Sequence, residues 1–184
     1  MTVRTHVPLS VDEFEKITAL PENAHKRLEL IGGVIVEVVS NSDASEIAQL
    51  IALEIGIWNR EKKVGRVTGA DGGYRVAGED YMPNVGFISS ARQPNRPHAT
   101  WNPLAPDLAV EVVSPTDRAT EIAVKVANYL HAGTLLWYVH PEEQQVIVYE
   151  PGHPAKTLGI DDILDGGQIL PGFKLVLKDI FPMD

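Results

Sequence analysis

The chain has no cysteine, which excludes disulfides and thiolate metal sites and leaves the cytoplasm as the default compartment. No apolar run is long enough to span a bilayer, and the opening Met1-Thr2-Val3-Arg4-Thr5-His6 holds no signal core. A phosphate-cradling glycine loop is absent, and so is a nucleophile elbow. The six histidines follow no ligand pattern. His140 ends a candidate strand, and His153 sits in a turn between Gly152 and Pro154. Asp161, Asp162 and Asp165 read as an acidic turn beside Gly166, without the length of a calcium-binding loop. Basic charge is also scarce: 16 Lys and Arg against 25 Asp and Glu give a net charge of −9. That balance opposes non-specific nucleic-acid binding, although acids clustered around a divalent cation would produce it too. The basic residues fall into two groups, Arg60, Lys62, Lys63 and Arg66, and Arg92, Arg96 and His98 near Trp101. Either group reads at least as well as solvated surface.

What is present fits one globular domain over residues 1–184, with 44% hydrophobic residues to build a core. Ser10-Val11-Asp12-Glu13 is a capping-box pattern that opens a short helix reaching about Leu20. Two β-rich runs, 27–31 and 34–39, flank Gly32-Gly33 and predict a hairpin. Ile47, Leu50, Ile51, Ile55 and Trp58 recur at helical spacing between about Ala44 and Trp58. Residues 66–76 and 85–89 read as strands, and the Pro-rich stretch from Gln93 to Pro106 as a loop. Strand 107–113 is followed by a helix for which Ser114 is the expected cap, Pro115 the first position and Asp117 the box acid. Gly133 ends that helix. Leu135–His140 and Gln145–Glu150 predict a second hairpin, and the C-terminal third reads as turns and short strands. The expected class is α/β (α+β), a mixed central sheet flanked by helices.

The segment Pro106-Asp107-Leu108-Ala109-Val110-Glu111-Val112-Val113-Ser114-Pro115 is the most informative. Glu111 interrupts a run that otherwise reads as a buried β-branched strand, and a buried carboxylate needs a cation. Asp107 shares its face, but at ~3.3 Å per residue the two stand about 13 Å apart, too far to chelate one ion together. Further ligands must come from another strand, and Glu29 and Asn84 both precede apolar runs in a suitable register. Asp107 would position a water, bind a second ion or cap the strand. Lys125, on the following helix, has the reach to bring its ammonium to Glu111, where it would orient a water or stabilise developing charge. The alternative is an i,i+4 surface pair with Glu121.

Taken together, Arg27-Leu28-Glu29-Leu30-Ile31-Gly32-Gly33, Pro106–Pro115, Lys125 through Gly133, Trp137-Tyr138-Val139 and Leu170-Pro171-Gly172-Phe173 resemble successive motifs of one family. It is the bacterial "putative restriction endonuclease" family of the PD-(D/E)XK nuclease superfamily, and the likeness runs along nearly the whole chain. The resemblance implies a restriction-endonuclease-like core with extra N- and C-terminal β-hairpins. It also implies a nuclease-like site that uses Mg²⁺ or Mn²⁺, with DNA as the expected partner; a homodimer is allowed, and the short apolar runs give no membrane partner. By position Glu111 is the acid of the (D/E)XK element; the lysine two residues on is Val113 here, and Lys125 is similar to the helix lysine that replaces it. Glu29 matches the hairpin acid, and Asn84 falls where an acid follows proline. A histidine often found at the start of the second helix has no counterpart near Ala44 and Ser45. The expected catalytic set is Glu29, Asp107, Glu111 and Lys125, and the expected metal ligands are Glu111, Asn84 and Asp107. Replacing Glu111 or Lys125 is expected to abolish metal-dependent cleavage and leave the fold intact. Asn84 and the acidic surface motivate the alternative, a catalytically silent binding module on the same scaffold.

Overall fold

The computed structural model describes residues 7–114 and 117–181. Helix α1 (Val11–Thr18) starts at the capping box, with the Ser10 and Glu13 side chains each bonding the other's backbone N–H. Strands β1 (Leu28–Ile31) and β2 (Val34–Glu37) pair antiparallel. Their turn is Gly32-Gly33 with φ of 61° and 72°, which suits glycine because a Cβ would crowd the backbone there. Helix α2 (Ser42–Lys62) is longer than its apolar periodicity, because Asn41 caps it by accepting from the Ala44 N–H and Lys63 closes it at φ 56°.

The middle of the chain supplies β3 (Gly65–Thr68), β4 (Gly73–Val76), β5 (Glu79–Tyr81), β6 (Val85–Ser89), β7 (Trp101–Asn102) and β8 (Leu108–Val112). The expected loop therefore contains one short strand, β7, which pairs parallel with β4. Helix α3 (Ala119–His131) leads to β9 (Leu135–His140) and β10 (Gln145–Tyr149), and the chain closes with β11 (Lys156–Leu158), β12 (Ile163–Asp165) and β13 (Lys174–Val176). The start of α3 departs from expectation. Asp117 does accept from the Ser114 N–H and Oγ, but these bonds close a turn, and the helix begins later with Arg118 at its N-cap and no side-chain cap. Pro115 lies outside the described residues.

Six strands form the main sheet in the order β11-β10-β9-β8-β6-β3. Only β8 and β9 run parallel, because α3 carries the chain back between them. Strand alternation then assigns the faces. Leu108, Val110, Val112, Trp137 and Val139 pack with Ile47, Ile51 and Ile55 of α2 and with the C-terminal Leu170 and Phe173. Ala109, Leu136 and Tyr138 pack on the other side with Tyr129 of α3, Ile31 and Tyr81. The main sheet is thus mixed and flanked by helices, and the β1–β2 and β12–β13 hairpins and the β5-β4-β7 strands form separate small sheets beside it.

Candidate functional site

Glu111 belongs to the same β8 face as Ala109, and its register partner on β9 is Tyr138. Its carboxylate therefore points toward α3. Lys125 and Tyr129, four residues apart, share one side of that helix, and both meet it. The Lys125 Nζ lies 2.7 Å from Glu111 Oε1, and the Tyr129 hydroxyl donates to the same oxygen at 2.8 Å. The hairpin brings the third group: Glu29 on β1 accepts from Lys125 at 3.1 Å through Oε2 and from the Met82 backbone N–H at 2.6 Å through Oε1. Lys125 also stands 5.4 Å above the centre of the Tyr81 ring.

All three charged groups are buried, with 2% of Glu29, 7% of Glu111 and 8% of Lys125 exposed. Two carboxylates share one ammonium, so an ionised cluster carries one uncompensated negative charge. Burial pushes the Glu111 carboxyl up to about 7, against the pull of Lys125, and the neighbouring Glu29 adds to the rise. For Lys125 burial works the other way, toward the neutral amine, but the two carboxylates outweigh it and the ammonium is held. The surface-pair alternative is excluded by geometry, because Glu121 faces Arg118 at 3.8 Å while Lys125 points into the protein.

The cluster forms one wall of a cavity of about 320 Å³ whose rim includes Asn84, Ser114, Asp117 and Glu121. Asn84 lies beside Glu111, but its Oδ1 accepts from the Val112 N–H at 2.8 Å, so the amide first of all secures the end of β8. Asp107 is not brought to this cavity. It sits at the opposite end of β8, where it accepts from the Ser89 N–H at 2.6 Å and meets Arg92 at 3.4 Å. Shared parity put Asp107 on the right face at the wrong end. Tyr129, Tyr81 and the Met82 N–H are site groups that the sequence reading passed over; Tyr129 carried a signal, its i,i+4 spacing from Lys125.

The donor set fits a hard divalent cation. Both donors to Glu111 use Oε1, and among the described residues no group donates to Oε2. Among those residues there is no cluster of three or more His, Asp or Glu side chains ready to enclose an ion. Mg²⁺ does not require one, since it is commonly held by one or two carboxylates with water completing its shell. The excess negative charge supplies the attraction.

A family model described as "Putative restriction endonuclease" matches residues 11–178. The fold is similar to the crystal structure of "a putative nuclease" from Anabaena variabilis, with a TM-score of 0.82 and 24% identity over 95% of this chain and 98% of that one. No curated protein matches this chain.

Proposed function

We propose, on the premise that this chain belongs to the Uma2 family described as "putative restriction endonuclease", that it is a divalent-metal-dependent endonuclease. In this reading residues 1–184 are a single nuclease-like domain that hydrolyses DNA phosphodiester bonds in the cytoplasm. A homodimer would present one site to each strand of a duplex. The observation that carries the reading is the buried ammonium of Lys125 shared by Glu29 and Glu111 at the wall of a cavity.

Glu111 would hold Mg²⁺ or Mn²⁺, with the Asn84 carbonyl beside it. When bound, the ion supplies electrophilic polarisation of the phosphate and a bound water of lowered pKa. Lys125 fixes the Glu111 carboxylate and presents positive charge to the cavity, where it stabilises the charge that builds on the phosphate. Glu29, held by the Met82 N–H, anchors the ammonium in place. Asp107, bound to Arg92 and the Ser89 amide, supports β8 from its far end.

The test is cleavage of supercoiled DNA with Mg²⁺ or Mn²⁺ by the purified chain. Wild type should nick and linearise the DNA, and Glu111→Gln and Lys125→Met should lose at least about 100-fold in rate, on the scale of removing a preorganised charge. Variants that cut as well as wild type would overturn the assignment.

The Asn84 side chain favours a second reading, a silent binding module. A neutral amide stands where the family places an acid, and its oxygen already serves the Val112 N–H. If wild type binds no Mn²⁺ by calorimetry and Asn84→Asp binds and cuts, the site has decayed; if neither binds, the silent module stands.

A further inference from the structure

A second cavity, of about 650 Å³, shares a wall with the first: Met82, whose backbone N–H holds Glu29, lines both. Its size suits a nucleotide-sized ligand. The aromatic group in its lining is Trp101, on the short strand β7.

Trp101 is seated rather than loosely packed. Its register partner on β4 is Gly73, and a Cβ on Gly73 would lie 2.4 Å from the indole Cε3. The ring thus rests directly on glycine backbone, where any other residue would displace it. Phe14 packs against it at 5.8 Å, tilted by 50°, and the indole stays half-buried at the cavity wall. Such a fixed and partly open indole is a stacking platform with little ordering entropy left to lose.

The charges also differ between the two cavities. Around the first, among the described residues, Glu29, Glu37, Glu111, Asp117 and Glu121 face Lys125 and Arg118. Around the second, Lys26 and Arg75 face Glu15. Arg75 is fixed there by the buried Asp80 at 2.9 Å and by Glu15 at 2.6 Å, and Lys26 donates to Asn23 at 3.0 Å, with two protons left for a ligand.

We propose that this second cavity is a base-stacking subsite. It takes the base of an unpaired nucleotide, laid against Trp101, from the same DNA strand whose phosphodiester lies at Glu111 and Lys125. The inference rests on the nuclease reading and sharpens its substrate class. A base inside an intact duplex has both faces covered and cannot stack here, so the nucleotide at this subsite comes from a single strand, an overhang or a base extruded from a duplex such as strained supercoiled DNA.

The probe is a fluorescein-labelled single-stranded DNA oligonucleotide with Mn²⁺ and the chain of residues 1–184. Binding is read by anisotropy in the first minute, and cutting on the same samples over hours. Trp101→Ala should weaken binding about tenfold, the scale of one lost base stack, while Trp101→Phe stays within about threefold because a ring remains. Ala99→Trp, at an exposed position in the cavity lining, plugs the space with Trp101 still seated and should weaken binding as much as Trp101→Ala. An abasic site at one position of the strand should reproduce the loss in wild type and add nothing in Trp101→Ala. A blunt duplex should bind equally to all variants. Unchanged strand binding by both Trp101→Ala and Ala99→Trp would overturn the subsite, as would an equal loss for the duplex. A wild type that cuts while those variants bind normally defeats the subsite alone. A wild type that binds through Trp101 without cutting defeats the nuclease reading and leaves the subsite standing.

Discussion

Lys125 bears more of the local energetics than its exposed-looking sequence context suggests. It neutralises two carboxylates that are otherwise sealed from water. Removing one partner of a buried ion pair leaves the other uncompensated, which costs about 3–5 kcal/mol. Lys125→Met should therefore lower stability by about that amount, so the expectation that such variants leave the fold intact needs revising. Urea denaturation checks this, and adding Glu29→Gln to Lys125→Met should recover part of the loss. A second prediction concerns pH. Glu111 rises from an ordinary 4.5 to about 7 in the folded protein, so between those values the folded chain holds a proton that the unfolded chain has released. Stability then falls as pH rises from 4.5 to 7 and is flat above, by about 3 kcal/mol at most. The difference in unfolding free energy between metal-free wild type and Glu111→Gln, measured at pH 5 and 7.5, should shrink accordingly. No change between the two pH values would mean that Glu111 ionises normally. The convergence of Glu29, Glu111 and Lys125 was legible because a charged residue amid buried strand pattern demands a partner. Asp107 misled for a related reason: parity reports the face of a strand but not which end meets the next element.

At the scale of elements, the β1–β2 hairpin sets the position of Glu29, and its turn is unforgiving. Gly32 and Gly33 both have positive φ, but their surroundings differ. A Cβ on Gly33 would lie 2.3 Å from Pro8 Cβ, whereas the nearest atom to one on Gly32 is Val124 Cγ2 at 4.0 Å. Both alanine variants carry the left-handed cost of about 1 kcal/mol; Gly33→Ala must also push away the segment that leads into α1, where Leu9 N–H bonds the Gly33 carbonyl. Gly33→Ala should be the less stable of the two in thermal unfolding, and equal midpoints would show that the leading segment yields freely. Elements with strong local chemistry were readable: the capping box of α1, the two-glycine turn, the β9–β10 hairpin. The start of α3 was not, because Ser114 and Asp117 make the same bonds in an isolated turn as at a helix cap. Strand β7 was hidden as well. Two residues give no periodicity, and their pairing with β4 depends on residues nearly thirty positions away.

For the whole molecule, the difficulty is how a chain of net charge −9 holds a polyanion. Much of its basic charge is spent internally. Arg27 donates to the Ala70 carbonyl, Arg66 to Gln93, Arg75 pairs with Glu15 and Asp80, and Arg92 with Asp107. Even with Arg75 counted in spite of its pairing, the described residues in the walls of the two cavities offer only Lys26, Arg75, Arg118 and Lys125 as cations near a bound strand. At a slope of about −0.7 per neutralised phosphate, four contacts give a salt dependence no steeper than about −3 in log K against log salt. The acidic rim of the first cavity makes the remaining attraction depend on a divalent ion. Strand binding should accordingly show a shallow salt slope with Mn²⁺ present and collapse on adding a chelator. A slope much steeper than −3 would mean that the phosphates meet a basic surface outside these two cavities, from the Arg60–Lys63 end of α2 or from a second copy. Binding that survives chelation would show that Lys125 and its neighbours hold the strand without help from a metal.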